Sequence, residues 1–278
     1  MEPTYVIKSS GERESWDPRK LERSLRAAKA DEQLVQEIVT HVKKDARDGM
    51  STHDIYAHAF ALLKRHSRTI AAQYSLKRAI AELGPSGFPF ERFVAHILKA
   101  QGYRTKVGMM VRGACVTHEV DVVAEKDDER ILVEAKFHNS PDIKSDVKVS
   151  LYVRARFQDI KKKLDEEDGG NHFNRAWLIT NTSFTSEAIK YGTCAGLALT
   201  GWNYPKGYTL QDLVQRTETH PITCLTTLSH SNKDQLLNQG IVLCNDIPSN
   251  THVLKSIGMN KGRITATLNE VKNLYARD

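Results

Sequence analysis

Two segments of alternating apolar and polar residues, separated by a short charged stretch, constrain this chain more than any other feature. The sequence HEVDVVAEKDDERILVEAKF, residues 118–137, has the period-two pattern of two antiparallel strands. A four-residue loop at KDDE, residues 126–129, sets Val123 opposite Leu132. The pattern therefore predicts a β-hairpin whose apolar positions face a core.

The same register places charged side chains where a core-facing hairpin should carry apolar ones. Asp121 falls opposite Glu134, and Glu119 falls opposite Lys136. Opposed residues share a face and have Cβ atoms about 5 Å apart, so the two carboxylates repel each other. A divalent cation between the two carboxylates turns this repulsion into a net attraction, because Mg²⁺ and Mn²⁺ prefer hard oxygen ligands. The hairpin predicts a metal site beside a lysine; the alternative is an ordinary exposed sheet face.

Composition and charge limit the classes of protein that remain. The chain has 278 residues, enough for two or three domains, and a formal net charge of +6. That charge fits either a solvated basic surface or a phosphate-binding one. No apolar run reaches the roughly 18 residues of a membrane span, and the first residues lack the apolar centre of a secretory signal. Four scattered cysteines predict free thiols in a reducing compartment, which indicates the cytoplasm.

The helix and strand patterns divide the chain into three segments. Residues 1–83 are mostly helical after a short strand and end at the breaker GPSG. Residues 84–205 interleave strands and helices, which predicts an α/β fold with a mixed sheet. Residues 206–278 are helical again, in short pieces. We expect a central α/β domain that is flanked by an N-terminal, mostly helical domain and a small C-terminal helical domain.

The central segment, over residues 85–205, resembles the PD-(D/E)xK nucleases and, within them, the Mrr-type restriction endonucleases. GFPFERFVAHILKAQGY resembles that family's opening helix and carries Glu91. EVDVVAE carries the motif aspartate, Asp121, and VEAKF carries the ExK pair, Glu134 and Lys136. AWLITNTSFTSEAIKYGTCAGLALTGW resembles the late strand-helix-strand, with its T-N turn before the helix. The resemblance implies a restriction-endonuclease-like nuclease core.

The resemblance also implies a mechanism, which is metal-assisted hydrolysis of a phosphodiester. Asp121, Glu134 and the carbonyl of Ala135 are the implied ligands of Mg²⁺ or Mn²⁺. Glu91 either completes this site or binds a second ion. Lys136 is expected to orient the attacking water and to counter the charge that develops on phosphorus. These four side chains are the predicted catalytic residues.

Basic residues suggest where DNA would lie. The helix after the hairpin is predicted to contact phosphates through Arg154, Arg156 and Lys161. The last segment resembles a helix-hairpin-helix or SAM-like module, in which Lys261 and Arg263 lie close to a glycine turn. The alternatives are basic side chains that only face solvent and a C-terminal packing domain.

The N-terminal segment resembles the ATP-cone, a regulatory nucleotide-binding module. YVIKSSGERESWDPRKLERSLRAA matches its strand-turn-helix opening, with Lys8 and Gly11 at the turn and Lys20 in the following helix. The resemblance implies that ATP or dATP binds here, with the two lysines as point charges for the phosphates. The alternative is a helical dimerisation or DNA-docking domain without a nucleotide.

Together these features and resemblances predict a metal-dependent DNA endonuclease that is regulated by a nucleotide. A role in restriction or defence is implied by the resemblance to the Mrr-type enzymes alone. Because each chain carries one such site, a homodimer is the simplest way to cut two strands. No GxxxxGK[ST] motif occurs, so a nucleotide would be a ligand and not a fuel. The alternative is a nucleotide-responsive DNA-binding regulator with an inactive nuclease fold. RNA and branched DNA stay open as substrates.

Overall fold

The structure of the chain, a computed structural model, describes residues 5–8, 11–166 and 172–276. Its packing divides the chain into two compact units. The N-terminal unit comprises Met1–Leu76, Cys224–Ser229 and Gly258–Asp278. The central unit comprises Lys77–Thr223 and His230–Ile257.

The N-terminal unit opens with a three-stranded sheet, in the order β2-β1-β3, and four helices. Asp17 caps the first helix by accepting the Arg19 N–H, and Pro18 occupies its first position. Leu25, Ile38 and Leu63 are fully buried in one core. The elements are β1 (Tyr5–Ile7), β2 (Arg13–Ser15), α1 (Pro18–Ala27), α2 (Glu32–Asp45), β3 (Met50–Ser51), α3 (Thr52–His66) and α4 (Arg68–Tyr74).

The next elements along the chain include both helices and strands. They are α5 (Leu76–Ala81), α6 (Phe88–Ala100), β4 (Arg104–Arg112), β5 (Thr117–Lys126), β6 (Glu129–Lys136), β7 (Lys144–Ser145), α7 (Val147–Glu166), β8 (Arg175–Thr180), β9 (Ser183–Phe184), α8 (Ser186–Cys194), β10 (Ala198–Thr200), α9 (Leu210–Thr217), α10 (His230–Asn238) and α11 (Thr251–Ser256).

A five-stranded mixed sheet in the order β10-β8-β6-β5-β4 organises the central unit. β4, β5 and β6 are antiparallel, whereas β6, β8 and β10 are parallel. The helix α7 buries Val153, Phe157 and Ile160 in the same core as Val123 and Leu132 of the hairpin. The predicted α/β fold with a mixed sheet is therefore confirmed.

The hairpin of β5 and β6 has the predicted register but a tighter turn. Val123 pairs with Leu132, as predicted. The four-residue loop is wrong, because Lys126 pairs with Glu129 and leaves a two-residue turn. Asp127 has φ +50°, the left-handed conformation that such a turn requires.

The segment predicted as a separate C-terminal domain, residues 206–278, is divided between the two units. Its last helix, α12 (Lys261–Leu274), contacts α4 of the N-terminal unit. Glu270 of this helix is buried and accepts the backbone N–H groups of Thr226 and Thr227. These hydrogen bonds join the segment around residue 226 to α12.

Two predictions about the whole chain can be compared with this fold. All four cysteines are free thiols, as predicted: Cys115 and Cys194 are exposed, and Cys224 and Cys244 are buried. Among the residues that the structure describes, no helix combines the length and the apolar character that crossing a membrane requires.

Candidate active site

Asp121 lies where the ladder between β5 and β6 ends. The last paired residues are Val122 and Val133, so the predicted ladder pair of Asp121 with Glu134 does not form. Asp121 Oδ2 instead accepts the backbone N–H of Ala135 at 2.8 Å. The carboxylate thus crosses to the neighbouring strand and replaces a backbone acceptor at the point where the two strands separate.

A slip in the side-chain alternation of β5 accompanies this break. Val120 and Val123 belong to the same buried core, although a period of two would put Val120 and Val122 on one face. Asp121 also lacks a ladder partner in β4, where Gly108 lies opposite it with φ +64°. Because only glycine adopts this conformation readily, Gly108 permits the distortion around Asp121.

The Glu134 carboxylate is buried and has a hydrogen-bond donor on each oxygen. The Tyr152 hydroxyl donates to Oε1, and the Arg156 guanidinium donates to Oε2 at 2.5 Å. Both donors come from α7, four residues apart and therefore on one face of the helix. The guanidinium also lies over the Tyr152 ring, 5.2 Å from its centroid. Glu134 is thus held by side chains, and not by the backbone.

The carboxylates at this end of the sheet interact with one another. Burial is the main cause of a raised pKa of about 7 at Asp121, and the negative charge of Glu134 is the next cause. Burial also raises the pKa of Glu91, and the negative charges of Glu119 and Glu134 raise it further. These acidic groups therefore destabilise one another's ionised forms.

Glu91 comes from the first turn of α6. Its N–H donates to the Gly87 carbonyl, and its Oε1 would lie 3.4 Å from a Cβ placed on Gly87, so the side chain folds back over the start of the helix. The positive end of the helix dipole favours a carboxylate at this position. The geometry brings Glu91 into the field of Glu119 and Glu134, as the predicted site requires.

Lys136 occupies the last position of β6, where it pairs with Thr180 of β8. It is half-buried, and among the described residues its ammonium forms no ion pair with a carboxylate. The predicted facing of Glu119 and Lys136 is wrong, because the β5–β6 ladder ends before it reaches them. Glu119 instead pairs with Met110 in the β4–β5 ladder.

The T-N turn after β8 fixes the end of β6. Asn181 is buried; its Oδ1 accepts the His138 N–H at 2.8 Å, and its Nδ2 donates to the His138 carbonyl at 2.8 Å. A single amide side chain thus replaces a strand partner just beyond Lys136. These hydrogen bonds hold the backbone two residues after Lys136.

The donor set suits a hard divalent cation by its chemistry. Asp121 and Glu134 offer carboxylate oxygens, Ala135 offers a carbonyl between Glu134 and Lys136, and a cation would relieve the repulsion that raises the pKa of Asp121. Among the described residues, no group of three His, Cys, Asp or Glu side chains is arranged to hold a metal ion. Glu134 is engaged by Tyr152 in the same place. The residues fit a cation by charge and ligand type, with Glu134 occupied by other donors.

The residues predicted to bind DNA lie in different surroundings. Arg154 lies over the Phe157 ring, 5.6 Å from its centroid, and Lys161 is exposed on α7. Arg156 is paired with Glu134 and is only 21% exposed. In the N-terminal unit, Lys261 and Arg263 are exposed in the first turn of α12.

The predicted nucleotide residues meet at one carboxylate of the N-terminal unit. Lys8 and Lys20 both form ion pairs with Glu14, the first at 2.6 Å. Lys8 also pairs with Glu12 at 3.0 Å. Gly11 has φ +82° and donates its N–H to the Lys8 carbonyl, which closes the turn between β1 and β2. The two lysines therefore converge on an internal acid.

Sequence reasoning missed Tyr152 and assigned Arg156 only to DNA. A signal for both exists, because they lie four residues apart and border the stripe of Val153 and Phe157, which are buried, and Val149, which is partly buried. A tyrosine and an arginine at the edge of such a stripe can turn their polar tips toward the sheet. The pattern does not predict that Tyr152 and Arg156 both contact Glu134.

Comparisons with known proteins agree with this architecture. Family models match the chain in three places: the ATP cone domain at residues 4–82, the restriction endonuclease at 84–201, and the AF1548-like C-terminal family at 220–275. An uncharacterized protein of Archaeoglobus fulgidus is 36% identical over 182 residues, which are 65% of this chain and 99% of that protein.

Two solved structures are also similar. The crystal structure of AF1548, a protein of unknown function, has 35% identity and a TM-score of 0.56, and the match covers 68% of this chain and 98% of that one. The MspJI restriction endonuclease in complex with a 27-mer oligonucleotide has 18% identity and a TM-score of 0.37, covering 62% of this chain and 36% of that one. The chain therefore belongs to the AF1548-like family and carries an ATP-cone domain together with an Mrr-type restriction endonuclease domain.

Proposed function

We propose that this protein is a divalent-cation-dependent endonuclease that hydrolyses phosphodiester bonds of DNA. The observation that supports this most strongly is that the β5–β6 ladder ends at Asp121, whose carboxylate accepts the N–H of Ala135, the residue between Glu134 and Lys136. Burial and the negative charge of Glu134 raise the pKa of Asp121, and carboxylates perturbed in this way cluster at functional sites. The restriction endonuclease family match over residues 84–201 supports the same reaction class.

Each residue then has a defined role. Asp121, Glu134 and the Ala135 carbonyl would hold Mg²⁺ or Mn²⁺, and Glu91 would complete the site. When bound, the cation neutralises phosphate charge and lowers the pKa of a water.

The Lys136 ammonium orients the attacking water, whose oxygen forms the new bond to phosphorus. The P–O bond to the leaving sugar oxygen then breaks. One proton of the water is released, and the leaving oxygen takes up a proton from solvent, so that atoms and charge balance. Lys136 also faces the negative charge that builds on the phosphoryl oxygens.

The substrate and the assembly follow from the same proposal. Arg154 and Lys161 of α7, and Lys261 and Arg263 of α12, are basic side chains suited to backbone phosphates. One site per chain implies a homodimer for cutting both strands. A role in restriction or defence rests on the family to which the nuclease domain belongs.

The N-terminal unit is proposed to regulate this activity by binding ATP or dATP. Lys8 and Lys20 lie close enough to share Glu14, so they are also close enough to share a phosphate group. The match to the ATP cone domain over residues 4–82 supports a nucleotide as the ligand. Gly11 keeps the turn beside Lys8 compact.

A second function, a nucleotide-responsive DNA-binding regulator, is favoured by a different observation. Both oxygens of Glu134 are already engaged by Tyr152 and Arg156, as they would be in a nuclease fold that has no metal. The two functions differ in one measurable property, which is the cutting of DNA.

Cleavage of supercoiled plasmid tests the proposal directly. Methylated and unmethylated plasmid is incubated with the protein and Mg²⁺ or Mn²⁺, with and without ATP. Asp121→Asn and Lys136→Gln are each expected to lower the cleavage rate by about 10²–10³-fold, because each removes a charge from the reacting centre.

Two variants serve as matched controls. Asp128→Asn makes the same change in the exposed hairpin turn, and Lys106→Gln makes the same change on exposed β4. Both should cut like the wild type. Binding of the plasmid without cleavage under every metal, methylation state and nucleotide would contradict the nuclease and support the regulator.

A further inference from the structure

Arg156 is the positively charged side chain that pairs with Glu134 of the candidate site. Its guanidinium lies 2.5 Å from Glu134 Oε2, and its charge lowers the pKa of Asp121, opposing the stronger effects of burial and of Glu134. With the Tyr152 hydroxyl on Oε1, both oxygens of Glu134 have a donor. A side-chain cation thus stands where the proposed reaction needs a metal cation.

We infer that Arg156 and Tyr152 form an internal counter-ion for Glu134 that a divalent cation displaces when it binds. This inference rests on the proposed nuclease function and adds to it a step of exchange. The resting protein keeps its buried carboxylate neutralised, and cation binding releases the guanidinium into the site. Arg156 and Tyr152 are positioning residues in this scheme, because they act through Glu134.

The geometry makes this exchange feasible. Both donors are tips of long side chains on α7, so they can leave Glu134 by rotation of side-chain bonds without any movement of the backbone. Tyr152 is 36% exposed and Arg156 is 21% exposed, which leaves each a path toward water.

Charge also favours replacement over sharing. A guanidinium hydrogen-bonded to Glu134 and a divalent cation bound to the same carboxylate repel each other at a few ångströms, in surroundings where burial weakens screening. The cation carries twice the charge and can also bind Asp121, so it competes effectively for the carboxylates. Arg156 therefore lowers the affinity of the protein for the cation.

Direct measurement of Mn²⁺ binding tests the inference without any cleavage assay. The full-length protein is titrated with Mn²⁺, and the free ion is followed by electron paramagnetic resonance. Arg156→Gln is expected to tighten Mn²⁺ binding about tenfold, since a competing charge-assisted bond is removed. Tyr152→Phe is expected to tighten it about threefold, since a neutral donor is weaker. Arg156→Lys keeps the charge but loses the planar guanidinium that lies over the Tyr152 ring, so its Mn²⁺ affinity should fall between those of the wild type and Arg156→Gln.

Two further variants distinguish a failure of the exchange from a failure of the proposed metal site. Arg154→Gln removes the same charge from the same helix at a residue that lies over Phe157, and it should leave Mn²⁺ affinity unchanged. A tighter affinity in Arg156→Gln is not what structural damage produces, because a damaged site binds metal more weakly. Equal or weaker affinity in Arg156→Gln would overturn the inference alone. Mn²⁺ binding that does not depend on Asp121, tested with Asp121→Asn, would overturn the proposed metal site and the inference with it.

Discussion

Two glutamates of this chain, Glu134 and Glu270, are buried to a similar degree but differ in the hydrogen-bond donors that their carboxylates accept. Glu134 is 7% exposed and Glu270 is 3% exposed. The oxygens of Glu270 accept backbone N–H groups, from Thr226 at 2.7 Å and Thr227 at 2.9 Å. Backbone donors cannot leave without unfolding the segment that carries them, so Glu270 is a structural residue.

Glu134 has side-chain donors and acidic neighbours instead. Its partners, Tyr152 and Arg156, can rotate away, and its charge raises the pKa of Asp121 and Glu91. The difference teaches that burial alone does not distinguish a structural acid from an acid of a candidate site. The identity of the donors and the sign of the neighbouring charges do.

The largest expected effect is at the candidate site, where removing the charge of Asp121 should raise the free energy of unfolding. Asp121 binds its proton more tightly in the folded chain, with a pKa of about 7, than in the unfolded chain, where the ordinary value is 3.8. The wild type therefore loses stability as pH rises from about 4 to about 7. Since one pKa unit corresponds to about 1.4 kcal/mol, Asp121→Asn should unfold with a free energy higher by up to about 4 kcal/mol at pH 8 in EDTA.

Urea unfolding followed by circular dichroism across this pH range measures that difference. The gain should fall below about 1 kcal/mol near pH 4 and approach zero near pH 3, because the wild-type carboxyl is then mostly protonated in both states. Asp128→Asn, in the exposed turn of the same hairpin, should show no such dependence. A variant that is less stable than the wild type at pH 8 would contradict the unfavourable environment of Asp121.

The structural glutamate should respond in the opposite direction. Glu270→Gln keeps the shape of the side chain but turns an NH₂ group toward one of the two N–H donors, from Thr226 or Thr227. An unsatisfied buried donor costs about 2 kcal/mol of the free energy of unfolding. Glu134→Gln should cost less than about 1 kcal/mol, because the lost pairing with Arg156 is offset by weaker repulsion of Asp121.

Urea unfolding at pH 7 in EDTA compares the two substitutions under one condition. Equal losses for Glu270→Gln and Glu134→Gln would erase the distinction between the two glutamates. A larger loss of unfolding free energy for Glu134→Gln than for Glu270→Gln would identify Glu134 as a structural residue. It would also count against the displacement of Tyr152 and Arg156 by a cation and against the proposed metal site.

The sequence predicted the parts of the site that follow from local pattern. The period-two alternation fixed the pairing of Val123 with Leu132, and the ExK motif identified Glu134 and Lys136. Alternation did not predict that the ladder stops before Asp121, because that break depends on the backbone of a third strand, at Gly108. Regular patterns describe a sheet well and describe its interruptions poorly.

Contacts between distant segments were beyond prediction for a related reason. The amphipathic pattern of α7 indicates which side of the helix faces the sheet, but not which sheet residue Arg156 meets. The return of α12 to the N-terminal unit likewise depends on contacts with α4 and on Glu270, which lie far away in sequence. Periodicity predicts which face of a helix or strand is buried. Which residue that face contacts depends on the tertiary fold.

A smaller effect should show whether the ladder break at Asp121 is functional. Gly108→Ala and Gly207→Ala both place alanine at a positive φ, +64° and +78°, with no atom within 4 Å of the new Cβ. Each should cost about 1 kcal/mol of the free energy of unfolding. Plasmid cleavage should separate them: only Gly108→Ala should slow cutting, because Gly108 lies opposite Asp121. Equal cleavage by the two variants would show that the break does not position the aspartate.

The smallest expected effect concerns a third kind of acid, Glu14, which is partly exposed and held by two lysines. Glu14 pairs with Lys8 and Lys20, so a phosphate that uses both lysines must replace it, much as a cation must replace Arg156 at Glu134. Glu14→Gln should therefore tighten ATP binding, measured by calorimetry, by about threefold, since partly exposed ion pairs contribute only a few tenths of a kcal/mol to about 1 kcal/mol.

The neighbouring Glu12 provides the control for that measurement. Among the described residues Glu12 pairs with Lys8 and not with Lys20, and it is 66% exposed, so Glu12→Gln removes the same charge from the same turn without freeing Lys20. Its effect on ATP affinity should be smaller than that of Glu14→Gln. If both substitutions tighten binding equally, general charge at the turn explains the result, and Glu14 does not compete for the phosphate position. If ATP binds neither variant nor the wild type, the converging lysines serve the fold, and the parallel with Glu134 fails at this site.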